Sequence, residues 1–358
     1  MTRRVLPVLR PIEAVLPTVQ ARWIGVIGGA EVLPAEVDAT CGDCAMVGPS
    51  ESSGGIRFLP ETRCCTYTPA MANFLVGGVL EGDPGSYGVR SMRARVRAGV
   101  GVSPLGVMGD PATNRAATEA DQFGREASHR CPHLEGTSGR CGVWQHREAT
   151  CATWFCKHTR GERSKAYWNR LQQLLQTLER AVALHCAQHL GIPPGGLALL
   201  VPLDARPGTV RADVAAPAHD PRQLWGSWAD DPWGFFRACH HLAAGLSAEE
   251  VVTLGGAPAT AMAAVVSRAR AALDDHTLPP RLTLGRATVV GLGPASVRVQ
   301  GYSNLDPLEV PRVLWDVLHC FEGQSTSEGL TRASEAAGQP VPPEAVAMLV
   351  DAGILREA

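Results

Sequence analysis

Apolar positions fall into three regimes along the chain. In residues 1–40 they come in short runs punctuated by proline, which predicts an extended lead-in with one apolar segment around Trp23–Ile27. Residues 41–161 are rich in Gly, Pro, Cys and polar side chains and show little helical period. From Arg163 to Leu190 the pattern changes. Trp168, Leu171, Leu175, Leu178 and Val182 recur at helical spacing, and Gly191, Pro193 and Pro194 end the run. Further helices are expected near 232–245, 247–254 and 257–274, the second opened by a Ser247/Glu250 capping box. Arg93, Arg95 and Arg97 alternate as on one face of an edge strand.

The last stretch reads as a separate unit. Two strand-like runs, Ala287–Leu292 and Ser296–Gly301, precede a helix from Pro311 to Phe321. A second helix opens at the Ser325/Glu328 capping box and closes at Gly338, and a third spans Pro343–Ala352 before Gly353. Strands followed by three short helices predict a winged-helix-type module. The expected fold class is therefore α+β. A lead-in over 1–40 precedes a loop-rich cysteine-ligated metal domain over 41–161. A helical middle over 162–280 and the winged-helix-type module over 281–358 complete the chain.

Composition sharpens this outline in one place. Of the 358 residues, 45% are apolar and 19% charged, with a net charge of −2, so there is no bulk electrostatic case for nucleic acid. Met1–Pro7 carries arginines with no apolar run of signal-peptide length behind it, and no uninterrupted apolar stretch of about 18 residues is present. A cytoplasmic protein without a membrane span is expected. Against this background the 11 cysteines stand out. Cys41, Cys44, Cys64, Cys65, Cys131, Cys141, Cys151 and Cys156 crowd into one segment. Cys186, Cys239 and Cys320 lie in apolar helical contexts and read as buried thiols. In a reduced compartment a local crowd of thiols points to metal, and ligation would stabilise a segment poor in apolar content.

Spacing constrains the ligation. Cys41-x-x-Cys44 is a two-residue knuckle that lets two sulfurs reach one metal. Adjacent Cys64 and Cys65 diverge, so they serve two centres more easily than one. Eight thiolates make two sets of four. From 125 to 170 there are nine Lys/Arg and four Glu, a surplus of five positive charges that suits either buried thiolates or a solvated basic face. His129, His133, His146 and His158 lie in the same region as ligands or as neighbours of ligands. Irregular long-range spacing suits one or two iron–sulfur clusters, and zinc is the alternative. His185-x-x-x-His189, without a following Glu, and His240-His241 read as core histidines.

Two resemblances follow from these residues. Cys131-Pro132-His133-Leu134, Gly139-Arg140-Cys141-Gly142-Val143-Trp144 and Arg147-Glu148-x-x-Cys151 resemble the second half of the YkgJ-type cysteine-cluster family. Cys41, Cys44, Cys64 and Cys65 supply its first half, with a 19-residue insertion after Cys44 and Glu148 where proline is usual. The resemblance implies a bound iron–sulfur or zinc centre, in a family with some members linked to side-chain modification. Leu314-Trp315-x-x-Leu318, Phe321-Glu322-Gly323 and Leu349-x-x-x-Gly353-Ile354-Leu355 resemble the PqqD-type winged helix. That resemblance implies a peptide held by β-augmentation. Residues 282–358 are thus expected to take a peptide or protein partner. DNA is disfavoured, since Pro343–Ala352 carries no Lys or Arg. A metal-cluster protein that modifies or helps modify a peptide and a non-catalytic zinc-stabilised scaffold both fit this pattern.

Overall fold

The computed structural model describes residues 8–27, 32–36, 39, 41–47, 56–109, 114–116, 122–200 and 220–358. Helix and strand are mixed, as an α+β chain requires.

The main core forms around the helix Gly161–His189. Tyr167, Trp168, Leu171, Leu174, Leu175, Leu178, Val182 and Cys186 are all buried along it, at the three- and four-residue steps that put side chains on one face. Pro232–Gly245, Ala248–Asp274 and Asn73–Leu80 pack around the same core. Asn73–Leu80 is buried on every side, and a Cβ at Gly77 would overlap the Phe236 carbonyl of Pro232–Gly245. Glycine there permits a backbone contact between helices. The expected helices 247–254 and 257–274 are present, joined across a kink at Gly256, whose φ is 62°. By length and composition Ala248–Asp274 could cross a membrane (mean hydropathy 1.3), with 17% of the apolar window buried.

Two local expectations are corrected. The lead-in is not merely extended: Val8–Pro11 pairs with Val32–Ala35, and Thr18–Ile27 is a helix. Trp23, Ile24 and Leu33 belong to the main core, with Trp23 tilted 5.7 Å from Phe74. Pro11 and Pro17 stand at element ends, with the Pro17 carbonyl accepting the first helical bond from Ala21, and Pro34 sits within the strand opposite Leu9. Second, Arg93, Arg95 and Arg97 lie on a helix, Tyr87–Ala98, capped by Ser86 and ended by left-handed Gly99. Its buried Val89, Met92 and Val96 sit at steps of three and four. That spacing outweighs the alternation of arginines.

The cysteine segment is loop-rich. Besides Asn73–Leu80, Tyr87–Ala98 and a small sheet of Met71–Ala72, Gly106–Val107 and Val102–Ser103, its regular parts among the described residues include short 3-10 turns at Ala127–His129 and Trp144–His146, the helix Ala149–Thr153 and a bridge between Leu134 and Cys141. Met46, Phe58 and Cys156 make a small separate cluster.

The C-terminal residues have their own core of Val297, Val299, Val310, Phe321, Val346, Leu349 and others. Thr288–Leu292, Ser296–Gln300 and Leu308–Pro311 form an antiparallel sheet in that order. Thr326–Ala337 has the expected capping box, and Pro343–Asp351 follows. The helix expected from Pro311 to Phe321 is broken into Arg312–Trp315 and a 3-10 turn, Leu318–Phe321. The break lets Leu314, Val317, Leu318, Cys320 and Phe321 all turn inward, more than a narrow helical stripe would bury.

This unit is fastened to the start of the long helix. Arg160 Nε donates to Asp351 Oδ2 at 2.7 Å and its Nη2 to the Asp275 carbonyl at 3.1 Å. Lys157 Nζ lies 3.1 Å from Asp306, and the His158 amide donates to the Tyr302 hydroxyl at 3.1 Å. Leu305 packs on the Met46/Phe58/Cys156 cluster.

Candidate metal centre

The eight candidate thiols sit on turns and element ends. Cys64 and Cys65 end a turn in which Arg63 has a φ of 50°. The Cys131 amide donates to the Cys65 carbonyl at 2.7 Å, tying the two halves of the segment together. Cys141 lies in the bridge with Leu134, Cys151 on Ala149–Thr153, and Cys156 just beyond it.

These thiols share one electrostatic environment. Cys156 interacts with Cys44 and Cys41, and Cys64 with Cys65, Cys41 and Cys156. Cys131 interacts with Cys65 and Cys141, and Cys151 with Cys131 and Cys141. Burial pushes the Cys131 and Cys156 thiols up to about 12 and Cys141 up to about 11. Cys151 is raised by burial, and Cys64 by its hydrogen bond to Cys65 and by burial. Cys65 moves the other way, because the Cys64 thiol stabilises its charge. Binding a metal here would therefore displace protons. Among the described residues, no three His, Cys, Asp or Glu side chains are gathered closely enough to hold an ion as they stand.

Three guanidinium groups reach this thiol field. Arg147 is buried and interacts with Cys41, Cys65, Cys141 and Cys151. It is held by the carbonyls of Trp144 (3.1 Å), Cys151 (3.3 Å) and Val15 (3.3 Å), and lies 3.4 Å over the Trp144 ring. Arg95 faces Cys131 and donates to the Met108 carbonyl at 3.0 Å. Arg63 donates to the Cys41 carbonyl. Lys157 lies beside Cys156 but is paired with Asp306.

The histidines divide by their partners. His133 is fully buried between Ser91 Oγ at 2.9 Å and Arg95 at 3.1 Å, so both ring nitrogens are occupied. His129 Nε2 meets Gln122 at 2.8 Å. The Nδ1 atoms of His146 and His158 are buried without a hydrogen-bond partner. His185 and His189 are not core residues: their rings lie 5.8 Å apart on the outer side of the long helix, half-buried and exposed. The pair adds no metal group with a third donor. His241 also departs from a core role, its side chain 70% exposed and 3.4 Å from Glu81.

A buried polar cluster beside the thiols was not anticipated. Glu148 caps Ala149–Thr153, accepting from the Thr150 and Cys151 amides. Glu179 on the long helix takes a hydrogen bond from Gln20, whose amide also reaches the Arg147 carbonyl at 3.0 Å. Burial holds both carboxyls above the usual range. The available signal was Glu179 itself, an acid beside Leu178 and Val182 on an apolar stripe.

Cys186, Cys239 and Cys320 are buried free thiols in the apolar cores. Replacing each by alanine should leave metal content unchanged on elemental analysis; loss of metal from any one would place it among the ligands.

His146 provides a separate test by pH. Burial and nearby His240 hold it down to about 4, against 6.5 when unfolded. The unfolded chain thus takes the proton first, and stability falls as pH drops from 6.5 toward 4, by up to about 1.4 kcal/mol per pH unit. His146→Gln should lower the pH slope of the denaturation midpoint across that window by this ring's share, with His133 and His158, also held down by burial, supplying the rest; an unchanged slope would show that this ring does not contribute to it.

No family model matches the chain, and no curated protein or solved structure does either.

Proposed function

We propose that the eight cysteines hold two iron–sulfur clusters, and that the protein modifies, or assists in modifying, a peptide docked by a C-terminal winged-helix-type module. The observation that carries this reading is adjacency. Cys156, Lys157 and His158 run from the thiol field directly into contact with Leu305, Asp306 and Tyr302 of the C-terminal unit. A peptide held by that unit is brought beside the metal segment.

Donor chemistry supports the cluster. In this reading Cys41, Cys44, Cys64 and Cys156 would hold one cluster and Cys65, Cys131, Cys141 and Cys151 the other, with Cys41 also facing Cys65 and Cys141 across the two sets. Two four-thiolate centres holding oxidised four-iron clusters carry about four excess negative charges, and Arg63, Arg95 and Arg147 offset three. A single zinc would draw four sulfurs to about 2.3 Å from itself. When bound, such fully ligated iron–sulfur clusters would supply electron transfer. The chain's own part is to balance charge with the arginines, limit water by burial and hold the partner near Cys156.

The absence of Lys and Arg from Pro343–Asp351 argues against DNA, and Asp351 is already engaged by Arg160. The second reading is a zinc-stabilised scaffold, favoured by a thiol count that fills both centres and leaves no open position. Anaerobic purification with iron, zinc and sulfide analysis separates the two. About eight irons per chain with matching sulfide and a broad visible absorption band are expected; zinc without sulfide would sink the cluster reading.

A further inference from the structure

One strand of the C-terminal sheet is open to solvent. Thr288–Leu292 pairs with Ser296–Gln300 on one side and has no partner on the other among the described residues. Val289 and Val290 are each 40% exposed and Leu292 is 74% exposed. Its ladder shifts register between Val289 and Gly291, leaving Val290 unpaired as a bulge residue. An apolar open edge is a template for another strand.

At the foot of that edge lies a polar cleft of about 610 Å³, lined among others by Lys165, Arg286, Thr288, Gln300 and Tyr302. No Asp or Glu lines it. Lys165 Nζ donates to the Tyr302 carbonyl at 2.9 Å and has no carboxylate partner among the described residues. Arg286 is exposed and likewise forms no ion pair among them. Two cations converge on a cleft that continues the open edge.

We propose that Thr288–Leu292 takes an extended apolar peptide strand and that the cleft takes the carboxylate of an acidic side chain at the end of that strand. The ligand is therefore an acidic–apolar peptide. This deepens the docking reading above and rests on it. A second copy of the chain fits the edge less well. Antiparallel self-pairing would set Arg286 against the Gly293–Ser296 turn, which has no carboxylate, and both cations would stay unpaired. A peptide strand ending in a carboxylate satisfies the backbone edge and the charge together.

The test uses the full-length protein and short synthetic peptides of alternating valine and threonine. Each carries paired aspartates at one end or the other, with asparagine counterparts, and binding is followed by fluorescence anisotropy. The aspartate form should bind about tenfold more tightly at low salt, with the gap narrowing as salt rises. Arg286→Glu should remove or invert that preference, and Val290→Pro should weaken both forms, with metal content unchanged in each. Equal binding of the two forms, unaffected by Arg286→Glu, would overturn the carboxylate site while leaving edge docking intact. A dimer in sedimentation that Val290→Pro disperses, with neither peptide bound, would overturn the docking reading as well.

Discussion

Replacing Cys156 or Cys44 by alanine should remove one half of the bound metal, and replacing Cys131 or Cys151 should remove the other half. The expectation follows from the proposed division of the thiols, in which Cys156 faces Cys44 and Cys41 and Cys151 faces Cys131 and Cys141, while Cys41 also faces Cys65 across it. A double variant taking one residue from each group should bind none. Metal and sulfide analysis on anaerobically prepared protein, with circular dichroism confirming the fold, reads the result directly. If one replacement empties a still-folded chain, the thiols form a single centre. If none lowers the content, these cysteines are not the ligands.

Arg160→Met should destabilise the protein by about 3–5 kcal/mol, the usual cost of stripping one partner from a buried charge pair. Arg160 and Asp351 side chains are only 5% and 15% exposed, with Nε and Oδ2 at 2.7 Å. Arg160 also spans to the carbonyls of Leu273 and Asp275, so the change leaves backbone acceptors unpaired too. Arg163, 3.6 Å from Asp351, retains part of the pairing and sets the value toward the lower end. Urea denaturation measures the change, and the double variant Arg160→Met/Asp351→Leu should recover part of the loss. A cost under about 1 kcal/mol would mean that water already screens the pair.

What could be read from the chain beforehand depended on how local the cause was. Gly161–His189 declares itself through the steps from Trp168 to Val182, and the Ser247/Glu250 and Ser325/Glu328 boxes mark helix starts that the structure has. Each is decided by residues within one or two turns. The Tyr87–Ala98 helix was masked by its arginines, because Arg95 is buried for a tertiary reason: Pro69, Met108 and His133 receive it. Thr18–Ile27 was masked by prolines whose position at element ends is set by the Val8–Pro11/Val32–Ala35 pairing. The thiols of the candidate centre were visible as residues, and so was Arg147. That Gln20 bridges the Arg147 carbonyl and Glu179 was not, since those contacts join positions 127 and 159 apart. Long-range polar contacts leave no period in a sequence.

The contact between His158 and Tyr302, 144 residues apart in the chain, has a consequence for biosynthesis. At about 5–20 residues per second, the ribosome reaches Tyr302 roughly 7–30 s after His158. Throughout that interval the Cys156 flank stands without Leu305, Asp306 and Tyr302 against it. Metal delivered to this flank during translation meets an open segment, whereas metal delivered after release meets one already covered. If the thiols hold metal as proposed, the time of delivery, as much as its chemistry, would govern how completely each newly made chain is loaded.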